Sequence, residues 1–217
     1  MTGPLGLLGG SFDPVHAGHC QLARDAQRSL GLEQLRFIPA GRPWQKEGVT
    51  AAAHRVAMLQ LALAGTAGWT IDRCEIDRPG PTYTVDTLQA LRAECGAQVP
   101  LVWILGQDQL QRLDSWHRWQ DLLGLAHLAY ADRAGTQPDL APALRDYVAA
   151  HRIDPGTLAT RPAGGIVSFA MQPVHCSATG LRQALAAGDA AAVAPFLAAP
   201  VLAYIHTHQL YLAANGQ

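Results

Sequence analysis

The chain alternates short apolar runs with longer segments of helical pattern, and this alternation constrains its fold more than any other feature. The apolar runs predict buried strands, at residues 5–8, 35–39, 69–76 (a strand or an extended pair), 101–105, 125–131 and 165–171. The other segments predict helices, at residues 20–27, 51–64, 84–93, 116–123, 144–150, 181–187, 190–197 and 201–212. Strands that alternate with helices form a parallel sheet through right-handed crossovers.

We therefore expect a Rossmann-like α/β fold: a parallel sheet with helices on both faces and a helical part at the C-terminus. The 217 residues fit one domain of this class, so residues 1–217 are predicted to form a single domain, with 177–217 as its helical C-terminal part. In such sheets ligands bind at the carboxyl ends of the strands. The loops after those ends should therefore hold the functional residues.

Charge and composition exclude several classes of protein. The formal net charge is −1 and no run of Lys or Arg occurs, which argues against nucleic acid as a partner. No apolar stretch reaches the roughly 20 residues that a membrane span requires. The four cysteines are scattered without a C-x-x-C pair, which indicates reduced thiols in a cytoplasmic protein.

Residues 9–19, GGSFDPVHAGH, join the first predicted strand to the first predicted helix. Gly9 and Gly10 let the backbone bend and let a ligand approach. The start of a helix offers unpaired N–H groups and the positive end of its dipole, which together favour an anion. His16 and His19 are three residues apart and can point the same way. One histidine alone is more often a capping or core residue, but this pair predicts a phosphate site.

Two other predicted loops carry one charged candidate each. Lys46 follows the second strand, where it could clamp a polyphosphate; the alternative is a solvated surface lysine. Gly106-Gln107-Asp108 follows the strongest strand, and the Asp108 carboxylate could accept hydrogen bonds from ribose hydroxyls. Asp108 could equally be a helix N-cap.

The stretch SATGLR, residues 177–182, opens a helix after the last strand. Ser177 is expected to cap this helix, and the free N–H groups of the first turn can bind phosphate. Arg182 lies one turn further and can reach the same anion with its forked donors. The alternative is an ordinary capped helix with a surface arginine.

These motifs resemble those of the nucleotidyltransferase superfamily. Its members carry His-x-Gly-His after the first strand and a Ser-Thr-x-x-Arg type motif near the C-terminus. The chain has the first motif at residues 16–19 and matches the second at Ser177, Thr179 and Arg182, with Gly180 where a bulkier residue is usual. The resemblance implies transfer of a nucleoside monophosphate from a nucleoside triphosphate to a phosphate-bearing acceptor, with release of pyrophosphate.

Within the superfamily, nearly the whole chain is similar to the bacterial nicotinate-nucleotide adenylyltransferases. Besides the two motifs, the similarity includes Pro-Thr-Tyr-Thr at residues 81–84, residues 106–116 and Asp132-Arg133. The family usually has Pro-Pro-His before the basic residue of the second loop, where this chain has Pro43-Trp44-Gln45. The expected reaction is ATP plus nicotinate mononucleotide giving deamido-NAD and pyrophosphate.

The resemblance implies a role for each candidate residue. The catalytic residues would be His16, His19, Lys46 and Arg182, with His19 nearest the α-phosphate of ATP. ATP would also be bound by Gly9, Gly10, Ser11, Phe12, Gly18, Gly106, Asp108, Ser177 and Thr179. The mononucleotide would be bound by Thr84, Trp116 and Arg133, where Arg133 holds the phosphate and Trp116 stacks on the pyridine ring. Trp116 could instead be a core residue.

Mg²⁺ is expected to accompany ATP and to be bound mainly by the triphosphate oxygens. No metal site on the protein itself is expected, since two histidines are too few ligands for structural zinc.

Two other functions stay open at this point. One is transfer to another acceptor, such as nicotinamide mononucleotide or phosphopantetheine, and the other is nucleotide sensing without catalysis.

Overall fold

The computed structural model describes residues 3–42, 48–132 and 138–212. Its strands are β1 (Leu5–Gly10), β2 (Gln34–Pro39), β3 (Trp69–Ile71), β4 (Leu101–Leu105), β5 (His127–Asp132) and β6 (Ile166–Ala170). Its α-helices are α1 (Ala17–Leu30), α2 (Ala52–Leu63), α3 (Cys74–Asp77), α4 (Thr84–Cys95), α5 (Gln107–Leu110), α6 (Pro142–Ala150), α7 (Ala178–Ala186), α8 (Ala190–Val193) and α9 (Ala199–Thr207). Three 3₁₀ helices cover Leu113–Ser115, Trp119–Gly124 and Pro155–Thr160.

The six strands form one parallel sheet in the order β3-β2-β1-β4-β5-β6. From β1 the chain adds β2 and β3 on one side of the sheet. It then returns to the other side of β1, where it adds β4, β5 and β6. The direction of winding therefore reverses between β1 and β4, and a crevice opens at their carboxyl ends. The predicted Rossmann-like α/β fold is confirmed.

Two apolar layers cover the two faces of the sheet, because side chains alternate along each strand. On β1, Leu8 faces a layer shared with α1, α2 and the C-terminal helices α7, α8 and α9. Leu5 and Leu7 face the opposite layer, which α4, α5 and α6 cover. The predicted helical C-terminal part is thus packed on the same face as α1.

Four predicted elements differ from the observed ones. The helix predicted over 190–197 is shortened to α8, which ends at Val193. The strand predicted over 69–76 ends at Ile71, because Asp72 accepts a hydrogen bond from the amide of Cys74 and a short helix, α3, begins there. The helix predicted over 116–123 is a 3₁₀ helix from Trp119 to Gly124. The last helix ends at Thr207 rather than Leu212, and the backbone turns into the left-handed region at Gln209 and again at Tyr211. Within the described ranges, no helix has the length and apolar character needed to cross a bilayer.

Candidate active site

The loop between β1 and α1 places the two motif histidines at the crevice. His16 occupies the N-cap position of α1, and its backbone amide donates to His19 Nδ1 at 3.3 Å. The two imidazole rings lie face to face, with their centroids 3.8 Å apart and tilted by 32°. A Cβ on Gly18 would lie 3.1 Å from the His16 ring, so glycine at this position lets the ring lie over the first turn of the helix. The predicted pairing of the histidines is therefore present.

The two histidines differ in burial and hence in chemistry. His16 is buried, and burial lowers its pKa to about 4. It is therefore neutral at pH 7. Because His19 Nδ1 accepts a hydrogen bond, the neutral His19 ring carries its proton on Nε2. The edge of the Phe12 ring meets His19 at 5.0 Å between centroids and holds it in place.

The start of α1 does not offer the free amides that the sequence predicts. The Ala17 amide donates to the carbonyl of Phe196, and the Gly18 amide donates to Cys176 Sγ. The His19 amide donates to the His16 carbonyl. The prediction of unpaired N–H groups here is wrong, because the C-terminal part folds over this helix end and supplies acceptors. An anion at this place would meet side-chain donors instead.

The glycines and the aromatic residue of the first loop serve packing as well as access. A Cβ on Gly9 would lie 2.4 Å from the Trp103 ring of β4, so no larger residue fits between the two strands. Phe12 is fully buried and also packs on Phe37. Of Phe12, only the main chain can meet a ligand. Gly10 and Ser11 lie half-buried at the end of β1, at the crevice.

The second motif reaches the same place from the far end of the chain. Ser177 is the N-cap of α7, and its Oγ accepts from the amide of Gly180 at 3.1 Å, as the sequence predicts. Arg182 donates from Nη1 to the Asp13 carbonyl at 2.8 Å and from Nη2 to Thr179 Oγ1 at 3.3 Å. Cys176 Sγ lies 3.3 Å from His16 Nδ1. The two motifs are thus joined into one donor-rich site.

The loop after β4 forms the other side of the crevice. Gly106 is the N-cap of α5, and its amide donates to the side chain of Gln109 at 3.0 Å. Asp108 is therefore inside the helix and is not its N-cap, so that alternative is wrong. Its carboxylate is exposed and lies 3.7 Å from Arg112. The prediction that Asp108 binds ribose stays a prediction.

The candidates for acceptor binding lie on the opposite face of the sheet from α1. Thr84 is the first residue of α4, whose N-cap is Tyr83. The Tyr83 ring stacks on the exposed His117, with centroids 4.6 Å apart. Trp116 is half-buried against the second apolar layer. The start of α4 and the Trp116 segment are therefore neighbours, with part of the Trp116 ring left accessible.

Two predicted site residues cannot be placed. Lys46 and Arg133 lie outside the described residues. Their predicted roles therefore stay predictions.

Sequence reasoning missed the buried polar residues that join the loops. Arg55 of α2 is 1% exposed, and its guanidinium donates to the carbonyls of Thr50 (2.8 Å), Ser11 (2.8 Å) and Ala40 (2.7 Å). Asp13 is 3% exposed and accepts from the Tyr211 hydroxyl at 2.6 Å. Arg55 falls on the same helix face as the apolar Met58 and Leu59. A charged residue on an apolar helix face is the sequence feature that could have indicated its buried role.

The donor set of this site suits an anion rather than a cation. Among residues 3–42, 48–132 and 138–212, no group of three or more His, Cys, Asp or Glu side chains is placed to hold a metal ion. Asp13, the buried carboxylate of the first loop, has both oxygens engaged, by the Tyr211 hydroxyl and by the amide of Thr50. The described residues therefore form no cage for Mg²⁺.

Comparison with known proteins identifies the family. A profile of the cytidylyltransferase-like family matches residues 7–184. A protein of Laribacter hongkongensis named "probable nicotinate-nucleotide adenylyltransferase" is 47% identical over 210 residues, which cover 95% of this chain and 94% of the relative. A protein of Bordetella pertussis with the same name is 44% identical over 208 residues, covering 95% of this chain and 97% of the relative.

Solved structures agree on the fold. The Plasmodium falciparum nicotinic acid mononucleotide adenylyltransferase complexed with NaAD superposes with a TM-score of 0.73 at 17% identity, covering 96% of this chain and 97% of that chain. The same enzyme complexed with APC gives a TM-score of 0.67. The profile and the full-length identities show that this chain belongs to the cytidylyltransferase-like family and, within it, to the nicotinate-nucleotide adenylyltransferases.

Proposed function

We propose that this protein transfers the adenylyl group of ATP to nicotinate mononucleotide, giving nicotinate adenine dinucleotide and pyrophosphate, a step of NAD biosynthesis. The observation that carries the proposal is the meeting of the two phosphate-binding motifs. His16 lies beside Cys176, and Arg182 bonds to Asp13, although these partners are more than 150 residues apart in sequence. Full-length relatives named for this activity support the same function.

The reaction requires no protein nucleophile and no base. A phosphate oxygen of the mononucleotide attacks the α-phosphorus of ATP, a new P–O bond forms, and the bond to the leaving pyrophosphate breaks. The attacking phosphate is already an anion. The protein therefore contributes alignment of two anions and stabilisation of the charge that develops on the α-phosphate and on pyrophosphate.

The site divides this work between neutral and charged donors. His16 stays neutral because burial lowers its pKa, and His19 offers its Nε2–H. Positive charge comes from Arg182, whose guanidinium is held by Asp13 and Thr179. The start of α7 adds the amides of Ala178 and Thr179, which have no acceptor within the helix. Lys46 is proposed to add a second positive charge to the β- and γ-phosphates.

The acceptor is proposed to bind on the far side of the crevice. Trp116 would stack on the pyridine ring, and the first turn of α4 at Thr84 would face its carboxylate. Arg133 would hold the mononucleotide phosphate. Gly106 and Asp108 would contact the nucleoside of ATP. The triphosphate would pass close to the main chain of the first loop, at Gly9, Gly10, Ser11, Phe12 and Gly18.

We propose that Mg²⁺ arrives on ATP and is held by phosphate oxygens and water, since the described residues provide no cage for it. None of the roles given above to the protein depends on the ion. We also propose a cytoplasmic location, supported by four cysteines that are all free thiols.

The test is release of pyrophosphate from ATP with nicotinate mononucleotide, nicotinamide mononucleotide and phosphopantetheine in parallel, with the dinucleotide product identified by mass. We expect release with the first and formation of nicotinate adenine dinucleotide. ATP binding without release from any acceptor would instead favour a nucleotide sensor. Release only with phosphopantetheine would assign a different acceptor.

A further inference from the structure

The first loop is fastened at Asp13 by three segments that are distant in sequence. Its Oδ1 accepts from the Tyr211 hydroxyl at 2.6 Å, and its Oδ2 accepts from the Thr50 amide at 3.1 Å. Its carbonyl accepts from Arg182 at 2.8 Å. Asp13 is 3% exposed, so these bonds replace water that the carboxylate cannot reach. The loop position therefore depends on all three donors.

Arg55 fastens the same loop from the side of α2. Its guanidinium bonds to the carbonyls of Ser11, Ala40 and Thr50, which join the loop after β1 to the loop after β2. Burial lowers the pKa of Arg55, and the negative charge of Asp13 acts in the opposite direction. Asp13 and Arg55 are thus two buried side chains of opposite charge, and each holds the loop carrying His16 through bonds to other residues.

The Tyr211 contact is made by a backbone that would not adopt its shape without support. Tyr211 has φ +61° and Gln209 has φ +51°, both in the left-handed region that side chains other than glycine rarely enter. Such a conformation persists only where other contacts hold it. Burial, first, and the bond to Asp13, second, raise the pKa of the Tyr211 hydroxyl, so it keeps its proton and donates.

We infer that Tyr211 is a positioning residue for the nucleotide site. Its bond to Asp13 fixes the loop that carries His16 and the Asp13 carbonyl to which Arg182 donates. The inference rests on the proposed function. Without the hydroxyl, Asp13 Oδ1 loses a donor in a place where water does not replace it. The loop then loses its fixed alignment with the histidines and Arg182, and the affinity for ATP falls.

The effect should be confined to ATP. The residues proposed to bind the mononucleotide, Thr84 and Trp116, lie on the other face of the sheet. None of the bonds that Asp13 and Arg55 make within the described ranges involves them. A change at Tyr211 should therefore lower the affinity for ATP and leave the affinity for the mononucleotide unchanged. A general loss of stability would lower both affinities.

The experiment compares Tyr211→Phe with Tyr204→Phe. Tyr204 lies on α9, and its hydroxyl bonds to His54 at 3.0 Å, so its removal takes a hydroxyl from the same C-terminal part without touching the first loop. Calorimetric titrations measure the Kd of Mg-ATP and, separately, of nicotinate mononucleotide. We expect Tyr211→Phe to raise the Kd of Mg-ATP about 10-fold. The Kd of the mononucleotide, and both Kd values of Tyr204→Phe, should stay within about twofold of wild type.

A second comparison asks whether the effect passes through Asp13. Tyr211→Phe combined with Asp13→Ala should bind Mg-ATP no more weakly than Asp13→Ala alone, because Ala has already removed the oxygen that accepts from the Tyr211 hydroxyl. Additive losses would overturn the route through Asp13. Equal weakening of both ligands, or none, in Tyr211→Phe would overturn the positioning role even if Asp13→Ala does not fold. Failure of the proposed function appears separately, as wild-type protein that binds Mg-ATP but forms no dinucleotide.

Discussion

The two sides of the crevice are built in different ways. The side proposed to bind ATP, here called the nucleotide side, is held by hydrogen bonds between distant segments, such as the Tyr211–Asp13 bond across 198 positions of sequence; the side proposed to bind the mononucleotide is called the acceptor side. The acceptor side is built from the start of α4 and the 3₁₀ helices around Trp116, with the exposed His117 stacked on Tyr83. Its buried side-chain bond, from Thr87 to Glu75 at 2.8 Å, joins residues only 12 positions apart. Because the two sides are held by different bonds, a change on one side should leave the other in place.

The largest expected effect is on the nucleotide side, at His19. Replacing His19 with Ala removes a preorganised donor to the developing charge and should lower kcat by about 10²–10³-fold. The Kd values of both substrates should change little. Steady-state kinetics and titrations measure this, with His206→Ala on the exposed surface of α9 as the control. A kcat within a few-fold of wild type would remove His19 from the mechanism.

Arg55 tests the rigidity of the nucleotide side directly. A lysine keeps the charge but cannot reach three carbonyls at once, so Arg55→Lys should lower the free energy of unfolding by about 2–4 kcal/mol. The control is Arg24→Lys, an exposed arginine over the Trp69 ring, which should cost less than about 0.5 kcal/mol. Denaturant unfolding measures both. Equal losses would show that the loop network contributes no special stability.

These two residues also show what the sequence can and cannot predict. His19 belongs to a local pattern of glycines, turn and histidines, and such patterns are visible because all their parts are neighbours. The role of Arg55 depends on three carbonyls brought together by the fold, and main-chain acceptors leave no mark on the sequence. The partners of the amides at the start of α1 are likewise invisible in the sequence, since Cys176 and Phe196 meet them only through the fold. The sheet itself is predictable, because each of its strands is a short apolar run in the sequence.

Acid should weaken the nucleotide side through His16. An unfolded histidine has a pKa near 6.5, and burial lowers that of His16 to about 4. The unfolded chain therefore binds more protons between these values, so the stability that the neutral ring contributes is present above pH 6.5 and is lost as pH falls to about 4. Denaturant unfolding between pH 7 and 4 should show His16→Gln losing less stability than wild type, by up to about 3 kcal/mol.

The pH dependence that remains in His16→Gln is assigned in part to His127, whose pKa burial also lowers. Identical slopes for wild type and His16→Gln would contradict the burial argument for His16.

On the acceptor side, Trp116→Ala should raise the Kd of nicotinate mononucleotide about 10–30-fold, since ring stacking contributes about 1–3 kcal/mol. The Kd of Mg-ATP should stay within about twofold of wild type. Trp119→Ala is the matched control, because that ring packs on Tyr147 at 4.7 Å instead. A similar loss in both variants, or a loss for both ligands, would make Trp116 a packing residue rather than a contact of the pyridine ring.

The smallest effect expected is the choice between the acid and the amide mononucleotide. The two acceptors differ only in a carboxylate against a carboxamide. The first turn of α4, at Thr84, offers amides without an intrahelical acceptor and the positive end of the helix dipole, and both favour a carboxylate. The carboxamide would turn its own N–H groups toward these donors and leave one of the helix amides unpaired.

We expect kcat/KM to favour the acid by at least about 10-fold, or about 1.4 kcal/mol. The test is to measure kcat/KM for both mononucleotides at fixed Mg-ATP. Equal values would mean that the acceptor side does not distinguish the two groups, while the adenylyl-transfer chemistry of the nucleotide side would stand.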